Sequence, residues 1–401
     1  MSISEKVETN SHTSLSNFID TDSFNPIVGK PYNIDKVTLS QIDNLNITYI
    51  FTTGRSASTL LGVMLMMHEE VIFTSEEVFP VALQQKYKSV KHWTEQTIKE
   101  YCEDFVIMSE GKLYPLFTGK DVLYNLLMQF KEHLNFERVI RISYLAFGVN
   151  KDLSKITTIV DKQLRYYLSE NYLKLFPDAK ILLLIRDPRD NVYSKYNRAK
   201  RRGINPQPCI YIQTWKIAFS TYFKLLNKYQ NKFLIVNYEK LINESKEMMM
   251  QISDFLSLTY TENYFNYPEL TKLFFDSIKH PKLKEHFNIT HKSLTMPISP
   301  QKVNEWMKEM NNPEIAHLIN TTWTSTKEIA LQSNYQTHPE YKVEKIYSIK
   351  SYLKTQTSFI SSFIYFHYLP FNIKKFIKIK KYPQRQNAVT SFDRFLVQTY
   401  L

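Results

Sequence analysis

Short apolar runs alternate with longer amphipathic stretches from residue 46 onward, and that alternation sets the expected architecture. Asn46 to Thr53 (NITYIFTT), Val71 to Ser75, Lys155 to Val160 (KITTIV), Lys180 to Ile185 (KILLLI) and Lys232 to Asn237 (KFLIVN) read as strands. Between them, Ser58 to Met67, the stretch through Phe176, Pro188 to Arg201, Cys209 to Tyr229 and Leu241 to Leu256 read as helices. Residues 80 to 150 read as mostly helical, with polar interruptions. Strands that are apolar on both faces, each followed by a helix, predict an α/β fold with a central parallel sheet covered on both sides, a three-layer α/β/α sandwich. Such sheets bind ligands beyond the carboxyl ends of their strands. Attention therefore falls on the loops after Thr53, Val160, Ile185 and Asn237.

The pattern changes at both ends. Residues 1–40 are polar and rich in Ser, Thr and Asn, and read as a flexible arm. Residues 41–330 are expected to form the main domain, and 331–401 a basic, aromatic-rich extension. The formal charge is +12, but Tyr341 to Leu401 alone holds eleven Lys or Arg against Glu344 and Asp393. The body is thus only mildly basic, which argues against nucleic acid as a partner. The run IKKFIKIKK, residues 373–381, mixes basic and apolar residues. It suits peripheral contact with an anionic membrane surface, packing on the body, or a homodimer contact.

Composition excludes some classes. Cys102 and Cys209 are the only cysteines, too few for a disulfide framework or a zinc site, so a reducing, cytoplasmic setting is expected. No apolar core of signal-peptide length opens the chain, and no apolar run reaches about 18 residues, so neither a leader nor a membrane span is expected. With seven glycines in 401 residues, each one in a loop is informative.

Two loops carry candidate anion chemistry. The first, TGRSASTLL from Thr53 to Leu61, joins a buried strand to a helix, so backbone N–H groups and the positive helix end converge there. Gly54 is expected to allow the turn, Ser56, Ser58 and Thr59 to add hydroxyls, and Arg55 to add a forked cation. A plain helix cap rich in Ser and Thr is the alternative. A nucleotide kinase loop would need G-x-x-x-x-G-K-S/T, and no Gly-Lys pair is present. The second, LIRDPRDNVYS from Leu184, puts Arg186 at a strand end, Asp187 at an N-cap, Pro188 in the first helical turn and Ser194 two turns on. The alternative there is a structural Arg–Asp pair, with Arg189 and Asp190 exposed. Two anion grips at neighbouring strand ends suit a ligand with two separated phosphates.

These segments resemble the PAPS-dependent sulfotransferases. TTGRSASTLL is similar to that family's 5′-phosphosulfate loop, R-S-G-S/T-T-L-L. LIRDPRDNVYSKY is similar to its 3′-phosphate motif, L-V/I-R-D-P-R-D-x-x-x-S. The stretch beginning NYEKL, from Asn237, resembles a later Y-E-x-L segment, and ISPQKVNEW resembles the loop that closes over the nucleotide. The resemblance implies a P-loop-like sulfotransferase fold with helical insertions, and transfer of a sulfuryl group from 3′-phosphoadenosine 5′-phosphosulfate (PAPS). The product would be 3′-phosphoadenosine 5′-phosphate (PAP), and no metal would be needed.

It also implies roles. Arg55, Ser56, Ala57, Ser58 and Thr59 would hold the 5′-phosphosulfate, Arg186 and Ser194 the 3′-phosphate, with Tyr238 near the nucleotide and Lys302 in the closing loop. HEEVIFTSEE resembles the segment that ends in the family's general base, which falls on Glu76, with Glu77 as the fallback. Arg55 and Lys162 would neutralise charge on the transferring group. Two departures stand out. Ala57 replaces the usual Gly, so its conformation should be one that tolerates a Cβ. D-K-Q-L (Asp161 to Leu164) replaces the usual D-K-T-P.

Two other readings stay open: a nucleotide-dependent kinase, with Asp161 ending a strand as a Mg²⁺ ligand, and a non-catalytic nucleotide-binding protein. His68, at the end of an apolar helix, is expected to be structural. The acceptor, whether small molecule, lipid, glycan or peptide tyrosine, would be shaped by residues 78–150 and 260–300.

Overall fold

Five strands form one wholly parallel sheet in the order β2-β3-β1-β4-β5. They are β1 (Asn46–Phe51), β2 (Val71–Ser75), β3 (Thr158–Gln163), β4 (Lys180–Ile185) and β5 (Phe233–Asn237). The computed structural model describes residues 33–109, 120–148, 151–277, 281–335 and 368–381, with five more between 357 and 365. The arm over residues 1–32 and the end of the chain after 381 lie outside the described residues.

Both faces of the sheet are covered, which is why its strands are apolar almost throughout. One face carries Ile47, Tyr49, Phe51, Ile159, Ile181 and Leu183. Against its cluster pack residues of helices α1 (Glu95–Met108), α2 (Phe136–Leu145) and α3 (Pro208–Lys228). The other face carries Ile50, Phe73, Val160, Leu182 and Val236 and packs on the helices Ser58–Met66 and Ser245–Leu256. Gly62 is required here: a Cβ at this position would stand 2.1 Å from the Phe73 ring. A third cluster joins the helices Pro188–Arg201 and Pro313–Leu331 around Trp306.

The chain leaves β1 for β2 on one side and later crosses from β3 to β4 on the other. The order therefore reverses between β1 and β4, and the crevice of an open parallel sheet lies at such a point. Both anion-binding candidates follow these two strands.

Two element assignments need correction. β3 starts and ends three residues later than the apolar pattern predicts. Lys155 belongs to a 3₁₀ turn, Leu153–Lys155, whose start is capped by the Asp152 side chain. Asp161, Lys162 and Gln163 lie inside the strand because each finds a polar partner there. The predicted helix from Leu241 to Leu256 is two helices, Tyr238–Asn243 and Ser245–Leu256.

Candidate active site

The loop after β1 is bent at residues other than the one predicted. Gly54 has no positive φ, and a Cβ built on it meets nothing within 4 Å. The left-handed positions are Arg55 (φ 70°) and Ala57 (φ 61°). Ala57 thus occupies the left-handed conformation that favours glycine, where the expectation was one that tolerates a Cβ. Left-handed backbone costs an alanine about 1–2 kcal/mol, partly offset because glycine is freer in the unfolded chain. Ala57→Gly is expected to stabilise the protein by about 0.5–1 kcal/mol in urea denaturation; no gain would mean that the surrounding contacts hold the loop.

Strain is concentrated in this region. Of the seven non-glycine residues with positive φ among the described residues, Arg55, Ala57, Glu76 and Asn304 all belong to the segments described in this subsection.

Helix Pro188–Arg201 pins the loop. Asn191 Nδ2 donates to Gly54 O and to Ser56 Oγ, each at 3.0 Å, and Arg55 Nε donates to Ser194 Oγ at 3.2 Å. The second grip meets the first through Arg186, whose guanidinium donates to Arg55 O (3.1 Å) and Lys302 O (2.9 Å). It lies 4.4 Å from the centre of the Tyr238 ring and 3.6 Å from Asp190. Its Nε is buried and makes no hydrogen bond among the described residues. Arg55, Arg186, Ser194, Tyr238 and Lys302, drawn from four separate stretches of chain, therefore converge. Ser58 and Thr59 stand in the first turn of helix Ser58–Met66, after the left-handed Ala57.

Asp187 caps its helix as predicted, accepting from Arg189 N at 2.8 Å, with Pro188 in the first turn. Arg189 and Asp190 are not exposed: they are 2% and 1% accessible. Arg189 makes a two-pronged pair with Asp187, Nη2 at 2.6 Å and Nε at 2.9 Å. Its guanidinium sits between Trp306 (4.6 Å) and Trp323 (4.2 Å). Asp190 accepts from Asn304 N at 2.7 Å and so anchors the 299–306 segment. Glu239 accepts from Asp187 N at 3.0 Å, and the Tyr335 hydroxyl lies 2.6 Å from it. Desolvation pushes the Asp190 carboxyl up to about 6 and Glu239 up to about 7.

At the β2 and β3 ends, alternation along β3 sends neighbouring side chains to opposite faces. Lys162 Nζ lies 3.4 Å from Glu76 Oε1 and 3.4 Å from Thr59 Oγ1. Glu76 follows β2 with φ 62°, its N–H donating to Lys162 O at 2.6 Å. Glu77, the fallback base, is buried and accepts from Ser109 Oγ at 2.5 Å.

Asp161 faces the other way and accepts from Tyr144 Oη (2.9 Å) and Gln163 Nε2 (2.7 Å). Desolvation, then the charge of Glu77, push it up to about 8. The native state thus holds a proton there that the unfolded chain releases, and stability falls as pH rises from about 4 to about 8. The stability advantage of Asp161→Asn over the wild type should therefore grow across that window in urea titrations. A constant difference would mean that Asp161 does not change protonation on unfolding.

Sequence reasoning missed two cations, Lys195 and Arg198. Desolvation, then Arg55, push the Lys195 ammonium down to about 7. Arg198 is lowered by desolvation, then by Arg202 and Arg201, and its buried Nε has no hydrogen-bond partner among the described residues. Arg55 is lowered to about 10 by desolvation, then by Arg198 and Arg186, and Lys302 is lowered by desolvation, then by Arg55. Among the described residues, neither Arg55, Lys195 nor Arg198 forms an ion pair with a carboxylate. These three cations therefore have no carboxylate partner among the described residues, and a bound polyanion would supply an anionic one. The signal was present as the spacing Ser194, Arg198, Arg201 along one helix face. His68 is held by Thr259 O (3.0 Å) and Glu70 N (3.2 Å), in keeping with a structural residue.

Comparison with known proteins agrees in part with this picture. Among the solved structures similar to the chain are two sulfotransferase domains. The sulfotransferase domain of the Synechococcus PCC 7002 olefin synthase is 19% identical, with 74% of this chain and 97% of that one covered and a TM-score of 0.46. The sulfotransferase domain of the curacin biosynthetic pathway is also 19% identical, with 73% and 99% covered and a TM-score of 0.44. Among curated proteins, the 5-methyltetrahydropteroyltriglutamate–homocysteine methyltransferase of Campylobacter jejuni is 24% identical over 173 residues, 43% of this chain. The chain spans only 21% of that protein's length. The model of the sulfotransferase family matches residues 48–262, more than half of the chain, from β1 through β5 and the helix after it. The chain therefore belongs to the sulfotransferase family.

Proposed function

We propose that this protein transfers a sulfuryl group from PAPS to a hydroxyl or amine of an acceptor. The observation that carries the proposal is the meeting of Arg55, Ser194 and Arg186 where β1 and β4 end, inside a cluster of cations short of carboxylate partners. The residues fit a bisphosphate. Arg186 with its unpaired Nε, Ser194 and Arg198 would hold the 3′-phosphate, beside the Tyr238 ring and Lys302. Arg55, the Ser56 to Thr59 segment and Lys162 would hold the 5′-phosphosulfate. The donor supplies a sulfuryl group and a good phosphate leaving group; catalysis is then mainly positioning and charge stabilisation.

Arg55 and Lys162 offset the developing negative charge. Glu76 accepts the proton of the acceptor, and its pairing with Lys162 orients it. Two features count against the kinase reading. The loop lacks a Gly-Lys pair, and Asp161, its candidate Mg²⁺ ligand, is engaged by Tyr144 and Gln163 on the opposite face from Lys162. The acceptor is a small molecule, lipid, glycan or peptide hydroxyl bounded by the segments 78–150 and 260–300.

Calorimetric titration with PAP, beside ATP and without added metal, tests the reading. PAP is expected to bind with an affinity on the order of micromolar and ATP more weakly. Arg186→Ala and Arg198→Ala should each weaken PAP about tenfold or more while leaving adenosine 5′-monophosphate almost unaffected. Failure of the wild type to bind PAP, or preference for ATP with Mg²⁺, would defeat the proposal.

A further inference from the structure

The C-terminal helix Phe371–Lys381 packs on helix α1 with its charged side inward. Phe371, Lys374 and Lys378 are its buried residues. Lys374 Nζ donates to Gln85 Oε1 at 3.1 Å, Lys375 Nζ reaches Asp104 Oδ1 at 2.5 Å, and Phe371 meets Tyr87 edge-on with ring centres 6.5 Å apart. The outward side holds Ile373, Phe376 and Ile377, which are 46%, 64% and 39% exposed, and the exposed Lys380 and Lys381. Tyr368, just before the helix, is 71% exposed, and Ile360 and Ile364 are exposed as well. Six of the twelve exposed large apolar side chains among the described residues thus fall between positions 360 and 377. Phe371 and Ile379 do reach the core, but a helix that served only to close it would also turn Ile373, Phe376 and Ile377 inward and its lysines outward.

We propose that this outward face docks on an anionic lipid bilayer. Apolar side chains bordered by lysines match the boundary between acyl chains and acidic headgroups. A second copy of the chain matches less well. The segment from Tyr341 to Leu401 holds eleven Lys or Arg against two acidic residues, and a self-complementary contact would bring two such segments together. The contact is a surface one, since no helix among the described residues is long and apolar enough to cross a membrane.

The test uses the full chain and two kinds of vesicle, phosphatidylcholine alone and phosphatidylcholine mixed with phosphatidylserine. The protein should sediment with the mixed vesicles, far less with the neutral ones, and less again at high salt. Phe376→Glu with Ile377→Glu changes exposed side chains and should lower the vesicle-bound fraction about tenfold or more. Lys380→Glu and Lys381→Glu should each lower it about fivefold or more. An unchanged far-ultraviolet dichroism spectrum guards against misfolding. Equal sedimentation with both vesicle types, none with either, or no effect of the Phe376 and Ile377 changes would overturn the proposal. A dimer in analytical ultracentrifugation that the same double change dissociates would overturn it in favour of a second copy.

Discussion

Glu76→Gln is expected to lower turnover by about 10²–10⁴-fold while leaving PAP affinity nearly unchanged. The substitution keeps the size of the side chain and its reach toward Lys162 Nζ, which lies 3.4 Å from the carboxylate. It removes the negative charge, and with it the ion pair to Lys162 and the ability to take a proton. The carboxylate is not sealed in: its side chain is 13% exposed, at the end of β2. Lys162 is 5% exposed and bridges Glu76 to Thr59 in the first turn of helix Ser58–Met66. On the proposed mechanism it would serve the transferring group and the base together. Lys162→Met should lower turnover as well, and the two losses should fall short of additive because the residues act as a unit. Single-turnover kinetics beside calorimetry separate chemistry from binding. Turnover within a few-fold of the wild type in Glu76→Gln would reduce the pair to a structural ion pair.

The second large effect is on stability. Arg189→Ala is expected to destabilise the fold by about 3–5 kcal/mol, the usual cost of leaving one member of a buried ion pair alone. Asp187 would lose a two-pronged partner at 2.6–2.9 Å while staying buried. Trp306 and Trp323 would lose the cation between them. Trp306 follows Asn304, whose N–H is held by Asp190, so the segment that carries Lys302 should loosen with it. Arg189→Lys should recover only part of the loss, since an ammonium cannot reproduce the planar fork or its stacking. Urea denaturation measures both variants. A loss below about 1 kcal/mol in Arg189→Ala would mean that Asp187 finds another partner at little cost.

Periodicity sufficed for the strands because both sheet faces are buried, and a buried strand has to be written in apolar residues. β2 and β4 run over the residues expected. The same rule failed at β3, where Asp161, Lys162 and Gln163 continue the strand. Their polarity is answered across space by Tyr144 and Glu76, from elements distant in sequence, so no local pattern could report it. Residue identity likewise misled at the first loop. A glycine was expected to make the turn, yet the left-handed backbone falls on Arg55 and Ala57.

The chain's local chemistry was enough to specify a parallel α/β sheet, the two loops that leave β1 and β4, and the residue types that suit anions there. Strand patterns and caps arise from interactions within a few residues, and these can be read along the chain. Other features depended on the tertiary fold. Arg189 and Asp190 are buried because Trp306, Trp323 and Asn304 come back over them from more than a hundred residues away. Lys195 and Arg198 join the site because their helix lies against Arg55. Lys374 and Lys375 of helix Phe371–Lys381 point inward because Gln85 and Asp104 lie where it lands. Burial and long-range charge depend on which distant segments become neighbours, and that is settled only when the sheet and its helices have closed.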